Sequence, residues 1–390
     1  MYILKLSKMR LYKQLLYKIL IVVNVLFFSS LIYGCKRNST PPSLKDAYKD
    51  QFLIGMAMNT DQIVGSDAQA LEIIKKQCNS ITSENCMKGE VIQPVEGQFN
   101  FALADSFVTF GKANGMKIIG HNLIWHSQAP IWFFTDDEGN DVTREVMIER
   151  MKNHIYTVVG RYKGQVHGWD VVNEAFLDDG SMRETKFYSI VGEDYIKLAF
   201  QFAHEADPNA ELYYNDFSMD KPGKVEAIIK LVNELKGHGI RIDGVGMQSH
   251  CGLTYSDLDS IEISLNTLSN AGMKVMITEL DVSVLPLPKN NIGADVSTSF
   301  EYQKKMNPYT GGLPDSISKE LEKFYIDLFK LFLKYQPLIT RVTFWGVNDA
   351  QSWKNYWPIE GRSDYPLLYD RNYKPKDIVD LLINLPENNR

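Results

Sequence analysis

Two glutamates and their neighbours carry the chemistry that is most open to a reading of the chain. Glu174 ends the run Trp169-Asp170-Val171-Val172-Asn173-Glu174, and Glu279 sits in Ile277-Thr278-Glu279-Leu280-Asp281. Each follows an apolar, β-branched stretch of the kind found in buried strands. Hydrolysis of an acetal needs one protonated carboxyl to assist the leaving oxygen. It also needs one ionised carboxylate for the anomeric carbon. A single glutamate at a strand end is about as often a hydrogen-bonded structural acid as a catalyst. Two of them, each beside a polar residue of the right type, favour catalysis. Asn173 could bond a sugar hydroxyl next to the reacting carbon, and His250 could orient the carboxylate of Glu279. Glu174 must then hold a proton at rest, which a negative charge on Glu279 favours.

Other chemistries fit less well. His121, His126, His250, Asp281 and Asp349 could in principle ligate a metal. His121 and His126 are five apart, however, so on one extended strand they point to opposite faces. Lys88 would add a cation to the same pocket. No metal and no cofactor are therefore expected. A Gly-rich phosphate loop is not visible either.

The elements that must position these residues recur regularly. Short apolar runs span 52–58, 80–86, 117–125, 167–175, 211–216, 240–249, 274–282 and 341–349, which makes eight strands. Helical periodicity lies between them, at 66–77, 143–162 and 319–335 for example. Strand–helix alternation through eight units implies a single (β/α)8 TIM barrel. In that architecture the active face is formed by the C-terminal ends of the strands. Those ends carry Glu84, Asn85 and Lys88; His121, Trp125, His126 and Gln128; Asn173 and Glu174; Asn215 and Asp216; Gln248 and His250; Glu279 and Asp281; and Trp345, with Trp353 beyond.

Composition agrees with one large globular domain: 390 residues, 44% hydrophobic and 23% charged. A net charge of −6 without a charge run argues against a nucleic-acid partner. The 19 Phe, 20 Tyr and 6 Trp mostly serve a core, but some could be platforms for a sugar. The chain is expected to act as a monomer.

Residues 1–35 are expected to be a targeting segment. Lys5, Lys8, Arg10, Lys13 and Lys18 precede about 14 mostly apolar residues, short for a membrane span and suited to a signal core. Met9 is an alternative start. Leu31-Ile32-Tyr33-Gly34-Cys35 resembles a bacterial lipoprotein processing site, although Tyr33 is larger than that pattern usually allows. The expectation is an exported protein held to a membrane only by lipid on Cys35, with secretion as the alternative. Residues 36–43 read as a tether and 44–390 as the catalytic domain. Cys78, Cys86 and Cys251 fit no zinc spacing and are expected to be free, mostly buried thiols; a Cys78–Cys86 bridge is the weaker alternative.

Over about 44–385 the chain resembles the family 10 glycoside hydrolases, the endo-1,4-β-xylanase family. The resemblance rests on Trp169–Ala175, on Ile277–Val282, on Glu84-Asn85 with Lys88, on Gly120-His121 followed by Trp125-His126-Ser127-Gln128, on Gly244–His250 and on Phe344-Trp345-Gly346-Val347. It implies a retaining enzyme acting on xylan or xylo-oligosaccharides, with Glu174 as acid/base and Glu279 as nucleophile. It further implies that Glu84, Asn85, Lys88, Gln128, Trp345 and Trp353 line the glycone subsites. His121, Trp125 and Gln248 would frame the scissile bond, and Asp281 would stand behind His250 in a hydrogen-bond chain to Glu279. The chain departs from the family pattern at Gly89, Asn122 and Phe217, where Trp, Thr and Tyr are common. The last removes a hydroxyl on the leaving-group side. A long connection, 286–312, could shape that side or be an inert insertion. A barrel that binds glycans without cutting them, and a glycosidase preferring cellulose-type chains, remain the competing readings.

Overall fold

In the computed structural model the described residues are Met9, 42–288 and 304–388. Apart from Met9, the expected targeting segment with Cys35 and most of the tether lie outside them, as do Asp295 and Tyr302 of the long connection.

The apolar runs form nine parallel-paired strands: β1 Leu53–Met58, β2 Ser80–Ser83, β3 Lys117–Trp125, β4 Gly168–Asn173, β5 Glu211–Asp216, β6 Gly244–Met247, β7 His250–Gly252, β8 Val275–Ser283 and β9 Ile339–Phe344. Neighbours pair in chain order from β1 to β6, and the β6–β8, β8–β9 and β9–β1 pairings close the ring. The result is a closed eight-stranded barrel of the (β/α)8 kind. The ninth strand was not expected: the run 240–249 is strand only over Gly244–Met247, and β7 lies past its end. The run breaks after Met247, where Ser249 takes φ 58°, and β7 begins beyond the ring, pairing His250 with Asp281. Such a break re-aims the side chains that follow it.

Every residue of β2, β4, β6 and β8 is buried, as continuous apolar patterning requires of strands covered on both faces. Tight contacts set the barrel's interior. A Cβ on Gly120 of β3 would lie 2.1 Å from the ring of Trp169 on β4, so only glycine admits that fully buried indole.

The helices wrap the outside. The segment expected at 66–77 begins at Ala68, because Asp67 rather than Ser66 accepts the Ala70 N–H and caps it. Arg144–Arg161 is capped by Thr143 and buries Met147, Met151, Ile155, Val158 and Val159 on one stripe. The segment expected from 319 starts at Asp315, directly after Pro314, whose fixed φ suits a helix start. Cys78, Cys86 and Cys251 are free and buried.

Candidate active site

Register shifts mark where the ring departs from regularity. Of four, one falls at the start of β8, between Val275 and Met276, and three fall toward the strand ends: between His121 and Ile124 on β3, Asp170 and Val172 on β4, and Ile277 and Leu280 on β8. The latter three lie near side chains that line the mouth. Of five non-glycine residues with positive φ among those described, Gln128, Glu174, Ser218 and Ser249 line one cleft. Backbone held in this costly region clusters at functional sites. The cleft encloses about 880 Å³.

Glu279 projects from β8 and is 5% exposed. Its Oε1 accepts from the Asn215 amide at 2.8 Å, and its Oε2 lies 3.3 Å from His250 Nε2. Asp281, two residues on and so on the same face of the strand, meets the other ring nitrogen at 3.0 Å. Burial disfavours the charged imidazole, but the adjacent Asp281 and Glu279 prevail and push His250 up to about 9. At neutral pH His250 is therefore an imidazolium that donates to both carboxylates. Burial likewise pushes the Glu279 carboxyl up, yet the His250 hydrogen bond, the nearby imidazoles and the Asn215 amide outweigh it and hold Glu279 below its ordinary range. Asp281 also accepts the Trp353 indole N–H at 2.8 Å and has Lys354 Nζ at 3.8 Å.

Glu174 follows β4 with φ 58°, and its N–H reaches the Asn215 carbonyl at 2.9 Å. Three donors fix its carboxyl: Trp125 Nε1 at 2.8 Å on Oε2, and Gln248 Nε2 at 3.0 Å and Asn173 Nδ2 at 3.1 Å on Oε1. Asn173 Oδ1 in turn accepts from Asn215 at 2.9 Å. The two carboxyl groups are thus joined through a pair of amides, and Asn173 has a protein-bound role besides the sugar contact expected of it.

The remaining residues complete the walls. Lys88 Nζ donates to Asn85 at 3.0 Å and Gln128 at 2.9 Å and lies 4.9 Å from the centre of the Trp125 ring. Burial pushes its amine down, opposed by Glu279, Glu84 and Glu174. Glu84 is pushed up by burial, with Lys88 opposing. His121 is locked by Asp170 at 2.9 Å and meets the Trp345 ring edge-on at 5.2 Å. Phe217 also lines the cleft, its ring 4.0 Å from the buried Lys224 ammonium. Of the fourteen site residues expected from sequence, all but Asp281 line this cleft, and Asp281 lies directly behind His250.

Sequence reasoning noted Asn215 only as a strand end and gave it no part, although it holds Glu279, Asn173 and the Thr278 hydroxyl at once. The available signal was the unbroken polar end Asn215-Asp216 on β5, the strand next to that of Glu174. Its place depends on Gly246, where a Cβ would fall 2.2 Å from Asn215 Oδ1. Gly246→Ala should therefore lower stability by about 1–3 kcal/mol through overpacking. Thermal unfolding measures this, and an unshifted transition would show that Asn215 is not confined there.

A parallel barrel whose mouth presents a supported carboxyl pair among indoles, amides and a lysine defines a glycoside-cleaving hydrolase. The family model for glycosyl hydrolase family 10 matches residues 43–385, and the chain belongs to that family. It is 51% identical over 346 residues to endo-1,4-beta-xylanase A of Xylanibacter ruminicola, covering 89% of this chain and 94% of that protein. Among solved structures, a family 10 endoxylanase from a sugarcane soil metagenome is 45% identical, with TM-score 0.83 and coverage of 88% and 100%. A mutant enzyme in complex with xylotriose is 35% identical, with TM-score 0.78 and coverage of 88% and 99%.

Proposed function

We propose that this chain is a retaining endo-1,4-β-xylanase. The observation that carries the reading is the asymmetry of the carboxyl pair. Glu279 is buried against His250 and the Asn215 amide, while Glu174 sits nearer solvent among neutral donors. Glu279 attacks the anomeric carbon of a xylosyl unit, and Glu174 gives its proton to the departing oxygen as that bond breaks. Glu174 then takes a proton from water, whose oxygen displaces Glu279 and frees the carboxylate. The loss of charge on Glu279 in the glycosyl-enzyme favours the second role of Glu174 as base. The names of the relatives support xylan as the substrate.

The enzyme should release reducing ends from xylan well above any release from cellulose-type oligomers. Proton NMR of the first product should show the β anomer. An initial α anomer would reject double displacement, and a preference for cellulose-type chains would reject the substrate.

A further inference from the structure

The lining of the cleft also includes two apolar residues with no part in the mechanism above, Trp357 and Leu287. Trp357 is 50% exposed and Leu287 39% exposed. Exposed apolar surface that continues a binding cleft marks a place for a ligand more often than a scattered surface residue does. The outer indole is also held in place. It stacks on Trp353 with centroids 5.1 Å apart and planes 27° from parallel. Trp353 is itself tied to Asp281 and lies 4.8 Å from the His250 ring. A chain of contacts therefore registers Trp357 to the residues that support Glu279.

The charge nearby selects the occupant. Lys354 Nζ lies 4.4 Å from the Trp353 centroid and 5.5 Å from that of Trp357. It is buried and faces Asp281 at 3.8 Å, so its charge is committed to that carboxylate rather than offered to an acidic branch. What remains is a fixed, half-exposed aromatic surface in a cleft that Leu287 also lines, which suits a neutral ring with apolar C–H faces.

We propose that Trp357 and Leu287 form a distal subsite that takes a neutral pyranose ring of the substrate chain, one position farther from the scissile bond than Trp345 and Trp353 reach. The proposal rests on the xylanase reading above. Binding energy gained at such a remote ring can be used at the reacting centre, so it raises kcat/KM for chains long enough to reach it.

The test is a ladder of β-1,4-xylo-oligosaccharides from trimer to hexamer, with kcat/KM measured for wild type, Trp357→Ala and Trp357→Phe. Trp357→Ala should lower kcat/KM on the hexamer about tenfold, the size of a good aromatic contact. It should change the trimer less than about twofold, and Trp357→Phe should keep most of the length dependence. An equal loss at every length would mean that Trp357 only props Trp353 and would overturn the subsite. No loss on the hexamer would overturn it as well. A wild-type enzyme that cleaves no member of the ladder would instead strike at the xylanase reading, and that result is visible before any variant is made.

Discussion

Glu279→Ala is expected to abolish hydrolysis of every substrate, activated or not, with kcat lower by about 10⁴-fold or more, ~5 kcal/mol of barrier. The reason is that, among the described residues, the neighbouring carboxylates are engaged elsewhere: Glu84 faces Lys88 and Asn85. Asp281 is the nearest on the same strand, but it lies behind His250, with Oδ2 held by His250 and Trp353 and Oδ1 facing Lys354 at 3.8 Å. The fold should survive, because His250 keeps its bond to Asp281 when Glu279 is gone. Added azide, small enough to enter the vacated space, should restore turnover of an activated aryl xyloside by one direct displacement. A single displacement inverts the centre, so the product should be the α-azide. Steady-state kinetics and product NMR check both parts. Wild-type-like turnover by Glu279→Ala, or rescue with retention, would remove Glu279 from its role.

Much of this site was legible in the chain because a barrel strand exposes its chemistry at one end. Glu174 and Glu279 follow buried apolar runs, and the alternation of strands and helices brings all such ends to one face. What was not legible is what depends on the path of the backbone after the strand. The break at Ser249 ends the sixth run and aims His250, the first residue of β7, between Glu279 and Asp281. Nothing in Gln248-Ser249-His250 signals a positive φ at a serine, so the run reads as strand up to Ser249 and β7 beyond it goes unseen. Asn215 was passed over for a related reason. An amide at a strand end has many fates, and only the closure at Gly246 shows that this one points at Glu279. Trp353 read as a sugar platform, whereas its N–H is also committed to Asp281, a contact made across 72 residues of chain.

Glu174→Ala should separate the two chemical steps. With unactivated xylan or xylo-oligosaccharides the leaving oxygen needs a proton, and removal of the acid should cost about 10²–10⁴-fold. With an aryl xyloside whose leaving group is already a stable anion, the first step needs no proton and should proceed at close to the wild-type rate. The second step then lacks its base, so the glycosyl-enzyme on Glu279 should accumulate. A burst of aryl product, followed by slow turnover, is the expected trace, and mass spectrometry should find the protein heavier by the glycosyl group. The geometry favours a clean result, because the donors that hold Glu174 are neutral groups. Asn173 stays anchored by Asn215, so Glu279 keeps its support. Azide should again accelerate the variant, but here it intercepts the glycosyl-enzyme in a second displacement, so the product should be the β-azide. If Glu174→Ala and Glu279→Ala lose activated aryl substrates equally, or if both yield the same azide anomer, the division of roles between the two carboxylates is wrong.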